Sequence, residues 1–227
     1  IKLVSPYITE GTQIATDDEF GLVLAAKLRA HFNLSGPTLS EIELFIDKVK
    51  MKHALEKTTV RCPKFRVFDF SAYYEAPDRY LDELVKYVGL PTIVKPIDAG
   101  GSEGVEFFEN IESIHRWCTE NADSKYTFEF DEYITGQLFH IDSIVKDAAV
   151  IYSASSKYSY AVRYYLEGKP LGSMYMHPEE AITQRLLKFN KEALAQLPVP
   201  DGATHLECFL TPDDELERAI RERLGAG

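Results

Sequence analysis

The sequence offers its clearest chemistry in a glycine-rich segment that directly follows a short apolar run. Lys95 ends the run, and residues 98–104 then read Asp-Ala-Gly-Gly-Ser-Glu-Gly. Glycines allow close backbone approach, and successive N–H groups can form a cradle for phosphate oxygens. A lysine on a buried strand needs an anionic partner, because an isolated buried charge is costly. A nucleotide phosphate would be such a partner, while a plain hairpin turn and an outward-facing lysine are the alternatives.

Two further sets of residues could contribute to a site for an anion or for the adenine of a nucleotide. Lys48 follows an aspartate within a predicted helix, where a solvated surface lysine is the alternative. Asp131 and Glu132, followed by Tyr133 and Ile134, end a predicted strand. Their side chains or backbone could hold an amino group or an adenine edge, and an exposed acidic strand end is the alternative.

A carboxylate near the end of the chain is a candidate metal ligand. His205 and Glu207 are two residues apart on a predicted strand and therefore share one face. Carboxylate oxygen is the donor that a hard cation such as Mg²⁺ prefers, although a lone strand glutamate can equally face solvent.

The surrounding patterns predict a mixture of helices and strands. Thr38 and Glu41 have the spacing of a capping box, which predicts a helix from there to about residue 55. Further helices are predicted over residues 20–32, 77–88, 111–121, 178–197 and 216–227. Strands are predicted over residues 66–70, 91–95, 105–108, 127–134, 138–152 and 204–210. This order favours an α+β or mixed α/β fold over a simple alternating parallel sheet.

Composition restricts the class of protein. The chain has 227 residues and a formal charge of −11, which disfavours coating of a nucleic-acid backbone. No stretch approaches the ~18 apolar residues of a membrane span. Cys62, Cys118 and Cys208 are too few and too scattered for a disulfide framework, so we expect a cytoplasmic protein. Because the sequence begins with Ile1, we expect a fragment of a longer chain.

The order of these motifs resembles the ATP-grasp superfamily, and more narrowly its carboxylate–amine ligases that form dipeptides and amino-acid amides. The motifs are Asp-Lys-x-x-Met from Asp47, Val-Lys-Pro with the glycine-rich loop, Asp-Glu-Tyr-Ile-x-Gly from Asp131, and Gly-x-x-His-x-Glu from Gly202. His140-Ile141-Asp142 also fits that group. The resemblance covers roughly residues 34–216.

The resemblance implies two α+β subdomains with the nucleotide between them, incomplete at both ends of this chain. Residues 1–37 would end a preceding domain, residues 38–110 would form the first ATP-grasp part, and residues 111–227 the second. The implied reaction joins a small-molecule carboxylate and an amine, both of them amino acids in our expectation. ATP is converted to ADP and phosphate through an acyl phosphate. The protein could also form a homodimer.

The resemblance also assigns roles to individual residues. The implied catalytic residues are Lys48, Lys95 and Ser102, and the implied metal ligand for Mg²⁺ or Mn²⁺ is Glu207. The implied ATP-binding residues are Lys48, Lys95, Gly100, Gly101, Ser102, Gly104, Asp131, Glu132, Tyr133 and Ile134.

Two departures from the family pattern keep a second function open. Leu138 stands where the family commonly has a ribose-binding glutamate, so Gln137 or a neighbour would serve the ribose. No second metal carboxylate falls in place, and Glu217 and Glu222 are only candidates. An ATP-binding module without ligase turnover is therefore the alternative within the family, and an α/β interaction domain is the alternative outside it.

Overall fold

The computed structural model describes residues 1–160, 164 and 168–212, together with the backbone of residues 216–223. Helices are mixed with strands that pair in two antiparallel sheets, as the sequence predicts for an α+β protein. Within the described part of the chain, no helix combines the length and the apolar character needed to cross a membrane.

Seven α-helices and nine strands are assigned in this part of the chain. The helices are α1 (Leu22–Phe32), α2 (Leu39–Ile46), α3 (Lys48–Leu55), α4 (Phe70–Glu75), α5 (Pro77–Val88), α6 (Ile111–Glu120) and α7 (Ala181–Leu194). The strands are β1 (Phe65–Val67), β2 (Thr92–Pro96), β3 (Glu106–Phe108), β4 (Phe128–Glu132), β5 (Gln137–Lys146), β6 (Ala149–Tyr158), β7 (Ser173–Tyr175), β8 (Gly202–Leu210) and β9 (Leu216–Arg223).

The first sheet has four strands in the order β1-β4-β2-β3 and one apolar face. Helices α4, α5 and α6 cover that face with an aromatic core that includes Trp117 and Phe130. The other face carries charge, because the register sets Lys95 opposite Glu129 and Ile93 opposite Asp131. Alternation along β2 and β4 thus separates an aromatic core from a polar face.

The second sheet has five strands in the order β7-β6-β5-β8-β9. Phe139, Ile141 and Leu206 alternate onto one face, where they pack with α7 and with residues of α1, α2 and α3. The residues between them, including Leu138 and Glu207, are on the opposite face. Functional side chains on β5 and β8 are therefore expected on that second face.

The single helix predicted from residue 38 to about residue 55 is two helices. The capping box of Thr38 and Glu41 begins α2 as predicted. Asp47 then adopts an extended backbone, and its carboxylate accepts hydrogen bonds from the backbone N–H groups of Val49 and Lys50 at 3.0 and 2.9 Å. An aspartate that caps a new helix therefore ends the old one, which the apolar periodicity alone does not reveal.

Three other predicted elements differ from the structure. The long strand over residues 138–152 is a hairpin of β5 and β6, which turns through Asp147 and Ala148 in left-handed conformation. Residues 216–223 form a strand, because pairing with the edge of β8 outweighs the local helical pattern. Helix α7 begins at Ala181 rather than in a first turn at Pro178.

Candidate functional site

An intersheet cleft of about 320 Å³ lies between the charged face of the first sheet and the second face of the other sheet. Its walls come from β2 and β4 on one side and from β5 and β8 on the other, and the segment 132–136 connects them. The lining residues are Pro63, Ile93, Lys95, Val105, Asp131, Glu132, Tyr133, Ile134, Thr135, Gly136, Gln137, Leu138, Ser159, Tyr160, Tyr164, Glu207 and Phe209. A concave site with apolar walls and a few convergent polar groups suits a small ligand.

The cleft gathers six of the residues predicted from sequence, namely Lys95, Asp131, Glu132, Tyr133, Ile134 and Glu207. Lys95, Asp131 and Glu207 have only 5%, 4% and 5% of their surface exposed. The alternatives of an outward lysine and a solvent-facing glutamate are therefore wrong, and at the acidic strand end Asp131 is buried while Glu132 is partly exposed.

Lys95 belongs to a buried charge quartet that also contains Lys52, Glu129 and Asp131. Lys52 Nζ lies 2.6 Å from Asp131 Oδ1 and 2.9 Å from Glu129 Oε1. Lys95 Nζ lies 2.5 Å from Asp131 Oδ2 and 3.6 Å from Glu129 Oε1. The two lysines thus face two carboxylates in a place from which water is excluded. A single unpaired charge would be very costly there.

Lys52 and Asp131 keep their charges because attraction outweighs the cost of burial. Burial alone would lower the pKa of Lys52, but Asp131 and Glu129 raise that pKa above its ordinary value. Burial alone would raise the pKa of Asp131, but Lys52 and Lys95 hold it below its ordinary value. At neutral pH Asp131 is therefore an anion, bound to both ammonium groups.

Lys48, also predicted at the site, contacts the glycine-rich loop rather than the cleft. Its Nζ donates hydrogen bonds to the carbonyl oxygens of Ile97 and Ala99 at 3.2 and 2.6 Å. Its backbone N–H also donates to Ile97 O at 3.0 Å. Lys48 therefore fastens the start of the loop to the first turn of α3.

The glycine-rich loop joins neighbouring antiparallel strands β2 and β3, so a hairpin connection describes its place in the fold. Gly101, Ser102 and Gly104 have φ values of 62°, 65° and 65°, in the left-handed region. Among the described residues that line the cleft there is no member of the segment 100–104, although the adjoining Val105 is one. The loop therefore lies next to the cleft. Its role in phosphate binding stays a prediction.

The segment that joins the two sheets is held at both ends. The backbone N–H of Glu132 donates to Lys64 O at 2.8 Å, and its carboxylate accepts from Lys64 N at 3.1 Å. Gly136 has a φ of 153°, and a Cβ there would clash with the carbonyl oxygen of Leu210. The chain can therefore turn from β4 into β5 at this point only with glycine.

Glu207 is held on the cleft wall by Tyr158, whose hydroxyl donates to Glu207 Oε1 at 3.0 Å. A buried carboxylate is a suitable donor for Mg²⁺, so the residue fits the metal that the sequence predicts. The register places Glu217 opposite Phe209 and Glu222 opposite Leu206 on β9. The side chains of both glutamates lie outside the described residues.

A histidine cluster, defined as His140, Asp142 and His205, adjoins Glu207 on the same face of the sheet. His140 Nδ1 lies 2.9 Å from Asp142 Oδ2, and His205 Nδ1 lies 2.6 Å from Asp142 Oδ1. Burial would raise the pKa of Asp142, but the two imidazoles hold it well below its usual range. Burial would lower the pKa of His205, but Asp142 and Glu207 raise it to about 9.

Lys52 and Glu129 are not among the residues predicted from sequence, although simple spacing points to both. Lys52 is four residues after Lys48, so both lie on one face of α3. Glu129 is two residues before Asp131, so both carboxylates lie on one face of β4. Alternation places the carboxylates together, but only the packing of α3 against the sheet brings the lysine to them.

Comparisons with known proteins agree with this geometry. A family model described as an ATP-grasp domain matches residues 45–195. A D-alanine–D-alanine ligase of Bacillus velezensis is 25% identical over 179 residues, which cover 75% of this chain and 49% of that protein.

Solved structures show the same fold at low identity. The crystal structure of an L-amino acid ligase from Bacillus licheniformis superposes with a TM-score of 0.74 at 17% identity, covering 99% of this chain and 51% of that one. The structure of an N5-carboxyaminoimidazole synthase from Aspergillus clavatus was solved with ADP and a ribonucleotide. It superposes with a TM-score of 0.66 at 17% identity, covering 92% of this chain and 50% of that one.

Because the family match spans well over half of the chain, this protein belongs to the ATP-grasp family. The expectation of an ATP-grasp fold is confirmed. The chain spans about half the length of the relatives that it matches.

Proposed function

We propose that this chain forms the nucleotide-binding part of an ATP-dependent carboxylate–amine ligase. One observation carries the proposal: a single cleft brings a buried lysine, an acidic strand end and a buried candidate metal ligand together between two sheets. The ligases among its relatives support the reaction class, and amino acids are the proposed substrates.

In the proposed reaction, a substrate carboxylate oxygen attacks the γ-phosphorus of ATP, and ADP leaves with the electrons of the broken bond. The amine nitrogen then attacks the acyl carbon, the amide bond forms, and phosphate leaves while the nitrogen loses a proton. Positioning and charge neutralisation are the main requirements of such a transfer. No protein nucleophile is needed.

The residues of the cleft would meet these requirements in distinct ways. Lys95 would exchange its contact with Asp131 for a phosphate oxygen, and Lys52 would keep Asp131 and Glu129 paired. The segment 132–134 would hold the adenine, and Lys48 would couple the glycine-rich loop to α3. Glu207 would hold Mg²⁺ or Mn²⁺, which supplies charge neutralisation at the phosphates when bound.

An ATP-binding module without turnover is the second candidate. Leu138 lines the cleft at the position where the family commonly has a ribose-binding glutamate, and its side chain is buried. The neighbouring Gln137 uses its amide Nε2 to donate to the carbonyl oxygens of Leu138 and Tyr158. A nucleotide ribose would therefore find weaker polar contacts here.

Release of ADP by the full-length protein separates the two candidates. The protein is incubated with ATP and Mg²⁺, first alone and then with amino acids singly and in pairs. A ligase releases ADP and phosphate only when a suitable carboxylate and amine are present, and an amide product accumulates in equal amount. Saturable ATP binding without ADP release for any pair would favour the module without turnover.

A further inference from the structure

The histidine cluster presents a donor set that the proposed ligase reaction does not use. The register places Asp142 directly opposite His205, and His140 directly opposite Glu207. The cluster therefore occupies one continuous patch on the second face of the sheet, beside Glu207 but outside the lining of the cleft.

The two imidazoles converge on one carboxylate through the same ring nitrogen. Their Nδ1 atoms contact different oxygens of Asp142, at 2.9 Å for His140 and 2.6 Å for His205. The two rings are 4.9 Å apart at their centroids and are inclined by only 31°. Three donors of the kinds that metals prefer thus lie within 4.8 Å of one another.

The outer nitrogens of both histidines have oxygen neighbours. His140 Nε2 lies 2.6 Å from Ser173 Oγ, and His205 Nε2 lies 3.7 Å from Glu207 Oε1. A histidine that binds a metal through one nitrogen almost always directs the other toward such a partner, which fixes the ring. Both the donor atoms of the cluster and the groups around them therefore resemble those of a metal site.

We propose that His140, Asp142 and His205 bind a divalent transition-metal ion, of the Zn²⁺ or Co²⁺ class, at a site separate from the magnesium ligand Glu207. Two imidazole nitrogens and one carboxylate oxygen select transition metals, whereas Mg²⁺ prefers oxygen donors alone. The ion takes the place of the hydrogen bonds between the histidines and Asp142. Three protein ligands leave a further coordination position open to solvent or substrate.

Access and fit are both compatible with this ion. The side chain of Asp142 is 52% exposed and that of His205 is 22% exposed, so an ion can enter from solvent. Ligands that lie ~2.0–2.2 Å from zinc in a tetrahedral site stand about 3.4 Å from one another. The nitrogen–oxygen gaps of 2.6 and 2.9 Å therefore widen by less than about 1 Å, and the widest gap between donors, which is at most 4.8 Å, narrows by no more than about 1.4 Å through side-chain rotation.

Cobalt is a suitable probe because its visible absorption becomes much stronger when Co²⁺ leaves water for a protein site of low coordination number. The full-length protein, stripped with a chelator and free of nucleotide, is titrated with Co²⁺, and Zn²⁺ is then added as a competitor. We expect a visible band that saturates at one ion per chain and is displaced by Zn²⁺. X-ray absorption of the zinc-loaded wild type should show two imidazole ligands, which is independent of whether any variant folds.

Variants identify the ligands and separate this site from the nucleotide cleft. Asp142→Asn and His205→Gln should weaken Zn²⁺ binding by more than ~100-fold, since loss of an outer partner alone costs ~10–100-fold. His53→Gln, at an exposed histidine paired with Glu56, is the matched control and should leave binding unchanged. Glu207→Gln keeps an amide oxygen near His205 Nε2, so the cobalt band should persist at saturating Co²⁺ with at most the ~10–100-fold loss of affinity expected for an outer partner.

Two results would overturn this proposal. A wild-type protein with no cobalt band would show that the cluster is a hydrogen-bonded group only. A band lost in Glu207→Gln but kept in Asp142→Asn would assign the ion to the cleft. Neither result depends on whether the protein is a ligase, because the titration contains no nucleotide.

Discussion

Lys52 and Asp131 are 79 residues apart in sequence, and their charged groups lie 2.6 Å apart in the interior. Lys52 is 1% exposed and Asp131 is 4% exposed. The contact joins α3 to the central strand that carries the acidic end of the intersheet cleft. Folding of the helical layer and the geometry of the cleft are therefore coupled through one buried ion pair.

Replacement of Lys52 should destabilise the protein strongly. Lys52→Met leaves Glu129 and Asp131 with Lys95 alone, and removal of one partner from a buried pair costs ~3–5 kcal/mol. The double variant Lys52→Met/Glu129→Gln removes one charge of each sign and should recover much of that loss. Urea unfolding measures both effects.

Lys50→Met is the matched control, because Lys50 is an exposed lysine on the same helix that pairs with Glu43. It should leave the unfolding midpoint almost unchanged. If Lys52→Met were as mild as Lys50→Met, the quartet would not contribute to stability.

Acid should remove the stabilisation that Asp131 provides. The pKa of Asp131 is lowered in the folded state, so its ionisation stabilises the fold above the unfolded value of ~3.9. That contribution is lost as the pH falls below ~3.9 toward the lowered folded pKa. The difference in unfolding free energy between wild type and Asp131→Asn should therefore be largest near neutral pH and shrink below pH ~4. A difference that stays constant over this range would contradict the assignment.

Gly136 should be essential for the turn between the two sheets. Gly136→Ala introduces a Cβ that clashes with the Leu210 carbonyl oxygen, so β5 and β8 must shift. Gly202→Ala is a close control, since Gly202 has a similar φ of 151° but no atom within 4 Å of the added Cβ. Backbone strain of ~1–3 kcal/mol is common to both variants, and only Gly136→Ala adds the clash. Equal unfolding midpoints for the two variants would show that the close approach is not important.

Glu207 should control the metal requirement of ATP turnover. In the full-length protein, Glu207→Gln should raise the Mg²⁺ concentration for half-maximal ADP release more than ~10-fold, since even loss of an outer partner costs ~10–100-fold. Tyr158→Phe removes only the hydroxyl that donates to Glu207, so its effect should be smaller. An unchanged Mg²⁺ requirement in Glu207→Gln would remove Glu207 from the metal site.

The sequence predicts the fold class and much of the cleft because those features depend on local patterns. Lys95 sits on an apolar run that must be buried, and its need for a counter-charge follows from that burial alone. For Asp131 at a strand end and Glu207 on an alternating strand, the local pattern leaves exposed alternatives open, and the resemblance to the ATP-grasp ligases is what assigns them to the site.

Other features depend on contacts between distant parts of the chain, so local sequence patterns do not predict them. The helix break at Asp47 depends on a cap, and strand β9 depends on pairing with β8. The carboxylates beside Lys95 depend on the pairing of β2 with β4, and the second lysine of the quartet, Lys52, is brought to them by the packing of α3. The histidine cluster requires the register of Asp142 with His205.

The central claim is that ATP binds in the intersheet cleft with Lys95 at its phosphates. Calorimetric titration of the full-length protein with ATP and Mg²⁺, compared between wild type, Lys95→Ala and Lys50→Ala, tests it most directly. We predict saturable binding for wild type and Lys50→Ala, and loss of binding for a folded Lys95→Ala. Unchanged ATP affinity in Lys95→Ala would contradict the claim.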